Sequence, residues 1–128
     1  MEKAIAPTVL AVDDSATMRS MLASALTQAG YNVVEAGDGA EALERLRATP
    51  VDAVITDHNM PRMDGLALTR ALRAEPATQR LPVLVLTTEA GDDLKQLGRA
   101  AGATGWLLKP FDPARLAEVL RKVVPART

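Results

Sequence analysis

The chain has 128 residues, 48% of them hydrophobic, which is the length of one domain with enough apolar side chain for a core. Its 15 basic and 16 acidic residues leave a net charge of −1, so no whole-chain attraction to nucleic acid or to a membrane surface is expected. The absence of cysteine removes disulfides, thiolate metal sites and cysteine nucleophiles, and a single histidine, His58, removes any histidine-rich metal centre.

No apolar run approaches the ~18 residues of a membrane span, and the segment Met1 to Pro7 lacks the apolar stretch of a signal peptide. The expectation is a soluble, cytoplasmic protein: one domain over residues 1–128, with its core at about 8–124 and no output domain. Only Met1 to Pro7 and Pro125 to Thr128 read as tails.

In chain order, short apolar runs recur at Thr8 to Val12, Tyr31 to Val34, Asp52 to Thr56, Pro82 to Leu86 and Gly105 to Leu108. The first, third, fourth and fifth are continuously apolar, as expected of strands covered on both faces of a parallel sheet, whereas the shorter and more polar second run belongs at an edge. Between the runs lie stretches with helical spacing. Met18, Met21, Leu22, Ala25 and Leu26 form the first stripe, stopped by Gly30. Leu43 and Leu46 mark the second helix, with Asp38 as its N-cap, and Asp64-Gly65 opens a third carrying Leu66, Leu68 and Leu72 that Pro76 must end. The fourth, Gly91 to Gly102, is weakened by Gly98, which costs about 1 kcal/mol relative to alanine and marks it for conformational adjustment. Asp112 caps the fifth, Pro113 takes its first position, and Leu116, Val119, Leu120 and Val123 are its stripe. This alternation predicts an α/β fold, (βα)5, with an open doubly wound parallel sheet whose ligands bind beyond the carboxyl ends of the strands.

The residues that follow the runs carry the chemistry: Asp13-Asp14 after the first, Asp57 after the third, Thr87-Thr88-Glu89 after the fourth and Lys109-Pro110 after the fifth. Two carboxylates about 4 Å apart repel by roughly 4 kcal/mol at an effective dielectric near 20, so three on one edge require a cation. Oxygen ligands without His or Cys suit Mg2+, with Mn2+ as the other choice, and magnesium commonly pairs one or two carboxylates with phosphate oxygens. A phosphoryl group on Asp57 would need donors, which Thr87 and Lys109 supply. The string Gly37-Asp38-Gly39-Ala40-Glu41-Ala42 matches a dinucleotide fingerprint but follows the second strand instead of the first, and the first strand ends in acids that would repel pyrophosphate.

Three phrases, Val-Asp-Asp-Ser-Ala-Thr-Met-Arg, Thr-Asp-His-Asn-Met-Pro-Arg-Met-Asp-Gly and Gly-Trp-Leu-Leu-Lys-Pro-Phe, resemble the receiver domain of bacterial response regulators, and most of all its stand-alone, CheY-like chemotaxis branch. The resemblance covers residues ~8–124 and implies the flavodoxin-like three-layer sandwich with strand order 2-1-3-4-5. It implies that Asp57 accepts a phosphoryl group from a phosphohistidine, and that Asp14, Asp57 and the backbone carbonyl of Asn59 hold Mg2+, with Asp13 acting through water. It further implies that Lys109 pairs with the phosphoryl oxygens, that the Lys109-Pro110 bond is cis, and that Thr87 closes onto the phosphoryl group.

Trp106 is core filler or the aromatic residue that moves with Thr87, and Thr87 itself would otherwise be a helix-capping hydroxyl. Thr88, which departs from the small residue common in relatives, joins Asn59 and Glu89 in modulating the phosphate's lifetime. His58 is expected to be an exposed neighbour.

As partners the resemblance implies a CheA-like histidine kinase or a histidine phosphotransfer protein, and a protein target such as the flagellar motor switch, read by the face built from the fourth helix, fifth strand and fifth helix. The chain is expected to be monomeric and to act as a phosphoacceptor, not as an enzyme on outside substrates. Two other readings are a phosphate shuttle or sink in a phosphorelay, and a Mg2+-dependent aspartyl-phosphate phosphohydrolase. The phosphohydrolase lacks the Asp-x-Asp signature and room for a cap.

Overall fold

A computed structural model describes residues 6–88 and 91–124. Five strands alternate with five helices: β1 (Thr8–Val12), α1 (Ala16–Gln28), β2 (Asn32–Ala36), α2 (Gly39–Ala48), β3 (Ala53–Asp57), α3 (Gly65–Arg73), β4 (Val83–Thr87), α4 (Asp92–Ala101), β5 (Gly105–Leu108) and α5 (Pro113–Val123). All pairings are parallel and the order is β2-β1-β3-β4-β5, as the family resemblance implies. No described helix is long and apolar enough to cross a membrane.

Alternation along the central strands divides the core in two. Val9 and Ala11 of β1, Ile55 of β3 and Leu84 and Leu86 of β4 face α1 and α5, where Leu22, Leu26, Leu116 and Leu120 close the layer. Leu10 and Val12, Val54, and Val83 and Val85 point the other way, onto Ala42 of α2 and Leu68 and Leu72 of α3. Full burial of each such leucine or valine contributes about 1.5–3 kcal/mol, which is why the middles of these strands are apolar. Thr69 is buried within α3, and its hydroxyl donates to the Gly65 carbonyl at 2.7 Å.

Helix boundaries follow their caps. Ser15, Asp38, Asp64 and Asp112 each accept a backbone N–H of the helix they open, and Gly30 stops the chain after α1 in the left-handed region at φ +98°.

The structure differs from the sequence reading at several points. β2 runs from Asn32 on to Ala36, and β3 and β4 each start and end one residue later than expected, so that Asp57 and Thr87 are the last strand residues and not the first loop residues. α3 ends at Arg73 with Ala74 as its C-cap, inside the limit expected from Pro76. β5 is the second edge and is not covered on both faces: Leu108 is 50% exposed. Met21 lies outside the α1–α5 seam and is also exposed, although its spacing from Met18 fitted the stripe.

Candidate functional site

The chain turns from β1 outward to β2 and then returns past β1 to β3, so the crevice beyond the carboxyl ends of β1 and β3 lies at the point where strand order reverses. Val12 pairs with Thr56, which brings the next residues of the two strands, Asp13 and Asp57, side by side. One oxygen each from Asp13, Asp14 and Asp57 lie within 4.8 Å of one another. Asp13 and Asp57 are buried and Asp14 is exposed.

The two buried carboxylates are held differently. Asp13 accepts the Ser15 N–H at Oδ1 (2.9 Å) and the Lys109 ammonium at Oδ2 (3.2 Å), while its own N–H donates to the Ala36 carbonyl at 3.1 Å. Asp57 Oδ1 is 2.7 Å from Lys109 Nζ. Burial pushes the Asp57 carboxyl above its ordinary value of 3.8; the Lys109 hydrogen bond opposes this, and the charges of Asp13 and Asp14 add to it. Burial pulls the Lys109 ammonium down, but the hydrogen bond to Asp57 and the charges of Asp13 and Asp57 outweigh it, so its value is raised above 10.5. One ammonium among three carboxylates leaves the cluster negative, and the remaining repulsion of about 3 kcal/mol per pair at an effective dielectric near 20 makes it a site for a hard cation.

The other expected residues surround this cluster. Thr87, buried at the end of β4, accepts the Lys109 N–H on its backbone carbonyl at 2.7 Å, and the Lys109-Pro110 bond is cis. Asn59 is exposed and lines the mouth of the crevice with Asp14, Met60, Pro61 and Asp64. Thr88 is exposed, and Glu89 lies outside the described residues. Trp106 stands away from the carboxylates on β5, paired in register with Val85, against Gly98 of α4.

His58 corrects the sequence reading. It is half-buried, its Nδ1 is enclosed without a partner among the described residues, and its ring is tilted against Trp106 at 5.9 Å between centroids. The β3 direction turns the residue after Asp57 towards β5 instead of solvent, while its N–H donates to the Leu86 carbonyl at 2.8 Å.

Arg19 was not singled out from sequence, and Asp64-Gly65 was read only as a turn and helix start; all three contribute to the site. Arg19 reaches back from α1 to donate to the Asp13 carbonyl at 2.7 Å and pairs with Glu35 at 3.3 Å, tying the β1–α1 loop to β2. A cue was present, since Arg19 stands one turn into the helix that Ser15 caps. Asp64 caps α3 and also lines the mouth of the site. Gly65 lets α3 press onto the strand end: a Cβ there would meet the Asp57 carbonyl oxygen at 2.5 Å.

A doubly wound parallel sheet with three carboxylates, a lysine and a threonine at its carboxyl edge defines an α/β module with an acidic site at the point where strand order reverses. The family of the response regulator receiver domain matches residues 9–121, and the chain belongs to it. It is 40% identical over 116 residues to the chemotaxis protein CheY of Pseudomonas aeruginosa, covering 90% of this chain and 94% of that one. The solved structure of Vibrio cholerae chemotaxis protein CheY4 superposes with a TM-score of 0.90 at 44% identity, covering 94% of this chain and all of that one. The receiver domain of a Pseudomonas aeruginosa sensor histidine kinase, described with magnesium coordinated in its active-site cleft, matches with a TM-score of 0.86 at 28% identity over 95% of this chain and 100% of that one. The chain is thus a CheY-like receiver of two-component signalling.

Proposed function

We propose that Asp57 is the phosphoacceptor of this receiver, taking a phosphoryl group from a phosphohistidine of a CheA-like histidine kinase or histidine phosphotransfer protein in chemotaxis signalling. The observation that carries this reading is the convergence of Asp13, Asp14 and Asp57 within 4.8 Å, with Lys109 Nζ on the reactive carboxylate at 2.7 Å.

The donor set is all oxygen, negative and partly open, which fits Mg2+ held by Asp14, Asp57 and the Asn59 backbone carbonyl, with Asp13 acting through water. When bound, that ion neutralises phosphoryl oxygens and draws donor and acceptor together. Asp57 attacks phosphorus through a carboxylate oxygen; the new O–P bond forms as the P–N bond to the donor imidazole breaks, and the imidazole leaves with the electron pair and takes a proton. Lys109 moves from the carboxylate to the phosphoryl oxygens, to which it is already adjacent. Thr87, one strand away, donates its hydroxyl to the same group, and that movement alters β4, the α4 end and the Trp106 environment. Hydrolysis of the acyl phosphate by water returns Asp57, at a rate that Asn59, Thr88 and Glu89 influence from around the mouth.

The output is a changed affinity of the α4–β5–α5 face for a protein target such as the flagellar motor switch. That face carries a cleft of about 350 Å3 between Lys95, Trp106, Pro110, Phe111 and Arg115, with Leu108 exposed at its margin. In the test, labelled phosphohistidine kinase and, separately, acetyl phosphate are supplied with Mg2+. Wild type is expected to take up one acid-stable, hydroxylamine-sensitive label and Asp57→Asn none; label on the Asn variant sinks the assignment. Thr87→Val is expected to take up label but to lose the activation-dependent partner in a pull-down with beryllofluoride.

A further inference from the structure

The glycine-rich string after β2 has no nucleotide to bind, yet the structure gives its residues close contacts. Gly37 donates its N–H to Glu41 Oε1 at 2.6 Å, and Asp38 Oδ1 caps α2 by accepting the Glu41 N–H at 2.8 Å. The other Asp38 oxygen pairs with the guanidinium of Arg62, from the loop between β3 and α3. Gly39, the first residue of α2, is buried under the next loop residue. A Cβ at 39 would meet Met63 Sδ at 2.6 Å, Cγ at 2.7 Å and Cβ at 2.9 Å.

Two consecutive residues of one loop are therefore seated on one turn of another element. Arg62 also takes φ +68°, the one left-handed non-glycine conformation among the described residues, and such a conformation persists only where surrounding contacts impose it. The Arg62 side chain is 73% exposed, and an exposed ion pair is weakly stabilising, so the seating of Met63 on Gly39 is the stronger hold and the Arg62–Asp38 pair sets the direction. The same loop carries Asn59, and with Asp14 its residues Asn59, Met60 and Pro61 line the mouth of the acidic crevice.

We propose that the Asp38-Gly39 turn is a latch for the β3–α3 loop, and that Asp38, Gly39, Arg62 and Met63 are positioning residues for the Asn59 end of the cation site. The metal side of this inference rests on the Mg2+ reading above. Without the latch, residues 59–64 keep the packing of Met60 on the core and the Asp64 cap on α3, but lose their hold on α2 and sample conformations in which the Asn59 carbonyl is turned from the carboxylates. Local preference opposes the natural residue at 39, since alanine is the better helix former, so glycine there answers to the Met63 contact.

The test uses full-length protein and two measurements: amide hydrogen exchange of residues 59–64 without metal, and calorimetric titration with MgCl2. Gly39→Ala is expected to speed exchange across 59–64 while β1 and β3 stay protected, and to weaken Mg2+ binding about ten-fold, the order found when a group supporting a metal ligand is removed. Arg62→Gln is expected to move both readouts in the same direction by less, and Arg62→Lys to restore them. Met63→Ala, which empties the slot without crowding it, carries the same expectation as Gly39→Ala if that variant fails to fold. Unchanged exchange at 59–64 in Gly39→Ala or Met63→Ala, or Mg2+ affinity within two-fold of wild type, overturns the latch. Wild type that fails to bind Mg2+ defeats the metal reading, and the exchange measurement still decides whether the loop is latched.

Discussion

Lys109 Nζ stands 2.7 Å from Asp57 Oδ1, on the side chain proposed to react. Its ammonium is the counter-charge that lets Asp57 stay ionised beside Asp13 in the absence of metal. Lys109→Met removes one partner of a mostly buried pair and leaves uncompensated carboxylates, a change worth about 3 kcal/mol. The metal-free variant is expected to melt about 10 °C lower, with part of that loss recovered in MgCl2. Circular-dichroism melts with and without the salt check this; an unchanged metal-free Tm would mean that the pair is not stabilising.

Asp57 makes the opposite prediction for pH. Its carboxyl is raised from 3.8, first by burial and then by Asp13 and Asp14, despite the Lys109 hydrogen bond. An acid with a higher pKa in the native than in the unfolded state binds more protons when folded, so stability falls as pH rises from 3.8 through the raised value and stays lower above it. Asp57→Asn lacks this penalty. The metal-free variant is expected to exceed wild type in Tm at neutral pH, with the difference shrinking towards pH ~4. Mg2+ affinity of wild type should fall over the same interval, because the proton competes with the cation for Asp57. A Tm difference that does not depend on pH would remove Asp57 as the titrating group.

Gly98 is more than a weak point in α4. Alanine there would gain about 1 kcal/mol in helix propensity. Its Cβ, however, would lie 2.7 Å from Trp106 Cζ3 and 3.0 Å from Cε3, against a rigid indole, and such overpacking costs about 1–3 kcal/mol. Gly98→Ala is expected to be about 1 kcal/mol less stable than wild type in urea and to shift Trp106 emission to the red as the ring is displaced towards solvent. A variant that gains stability with unchanged emission would show that the ring is not seated against α4.

What was legible beforehand follows from which forces act locally. The continuous apolar runs of β1, β3 and β4 register burial on two faces, and the caps at Asp38, Asp64 and Asp112 satisfy N–H groups within three residues, so both leave marks in short windows; the Ser15 cap of α1 was not read. The acidic edge was legible because the chemistry follows the strand ends. The strand order came from family likeness, as no local term encodes which strand lies beside which. Gly98 against Trp106, Gly39 under Met63 and Gly65 against the Asp57 carbonyl are contacts between separate elements, and a glycine in sequence does not reveal its neighbour. His58 was misjudged for the same reason: its polarity suggested solvent, and its place against Trp106 is a contact between residues far apart in sequence.

Asp13 and Asp14 are adjacent in sequence but differ in how they are bound, and their asparagine variants should separate accordingly. Both Asp13 oxygens are engaged, by the Ser15 N–H and by Lys109, and the side chain is buried. The Asp14 carboxylate is exposed and carries no hydrogen bond or ion pair among the described residues, which leaves it free to ligate. Asp14→Asn is therefore expected to raise metal-free stability, because it removes repulsion with Asp13 and Asp57 without breaking a hydrogen bond, while weakening Mg2+ binding ten-fold or more. In Asp13→Asn, an amide oxygen still accepts the Ser15 N–H but the attraction to Lys109 is lost, so metal-free stability changes measurably and Mg2+ affinity falls less than in Asp14→Asn. Calorimetric Mg2+ titrations beside thermal melts give both quantities for each variant. Equal losses of Mg2+ affinity in the two would show that Asp13 ligates as directly as Asp14.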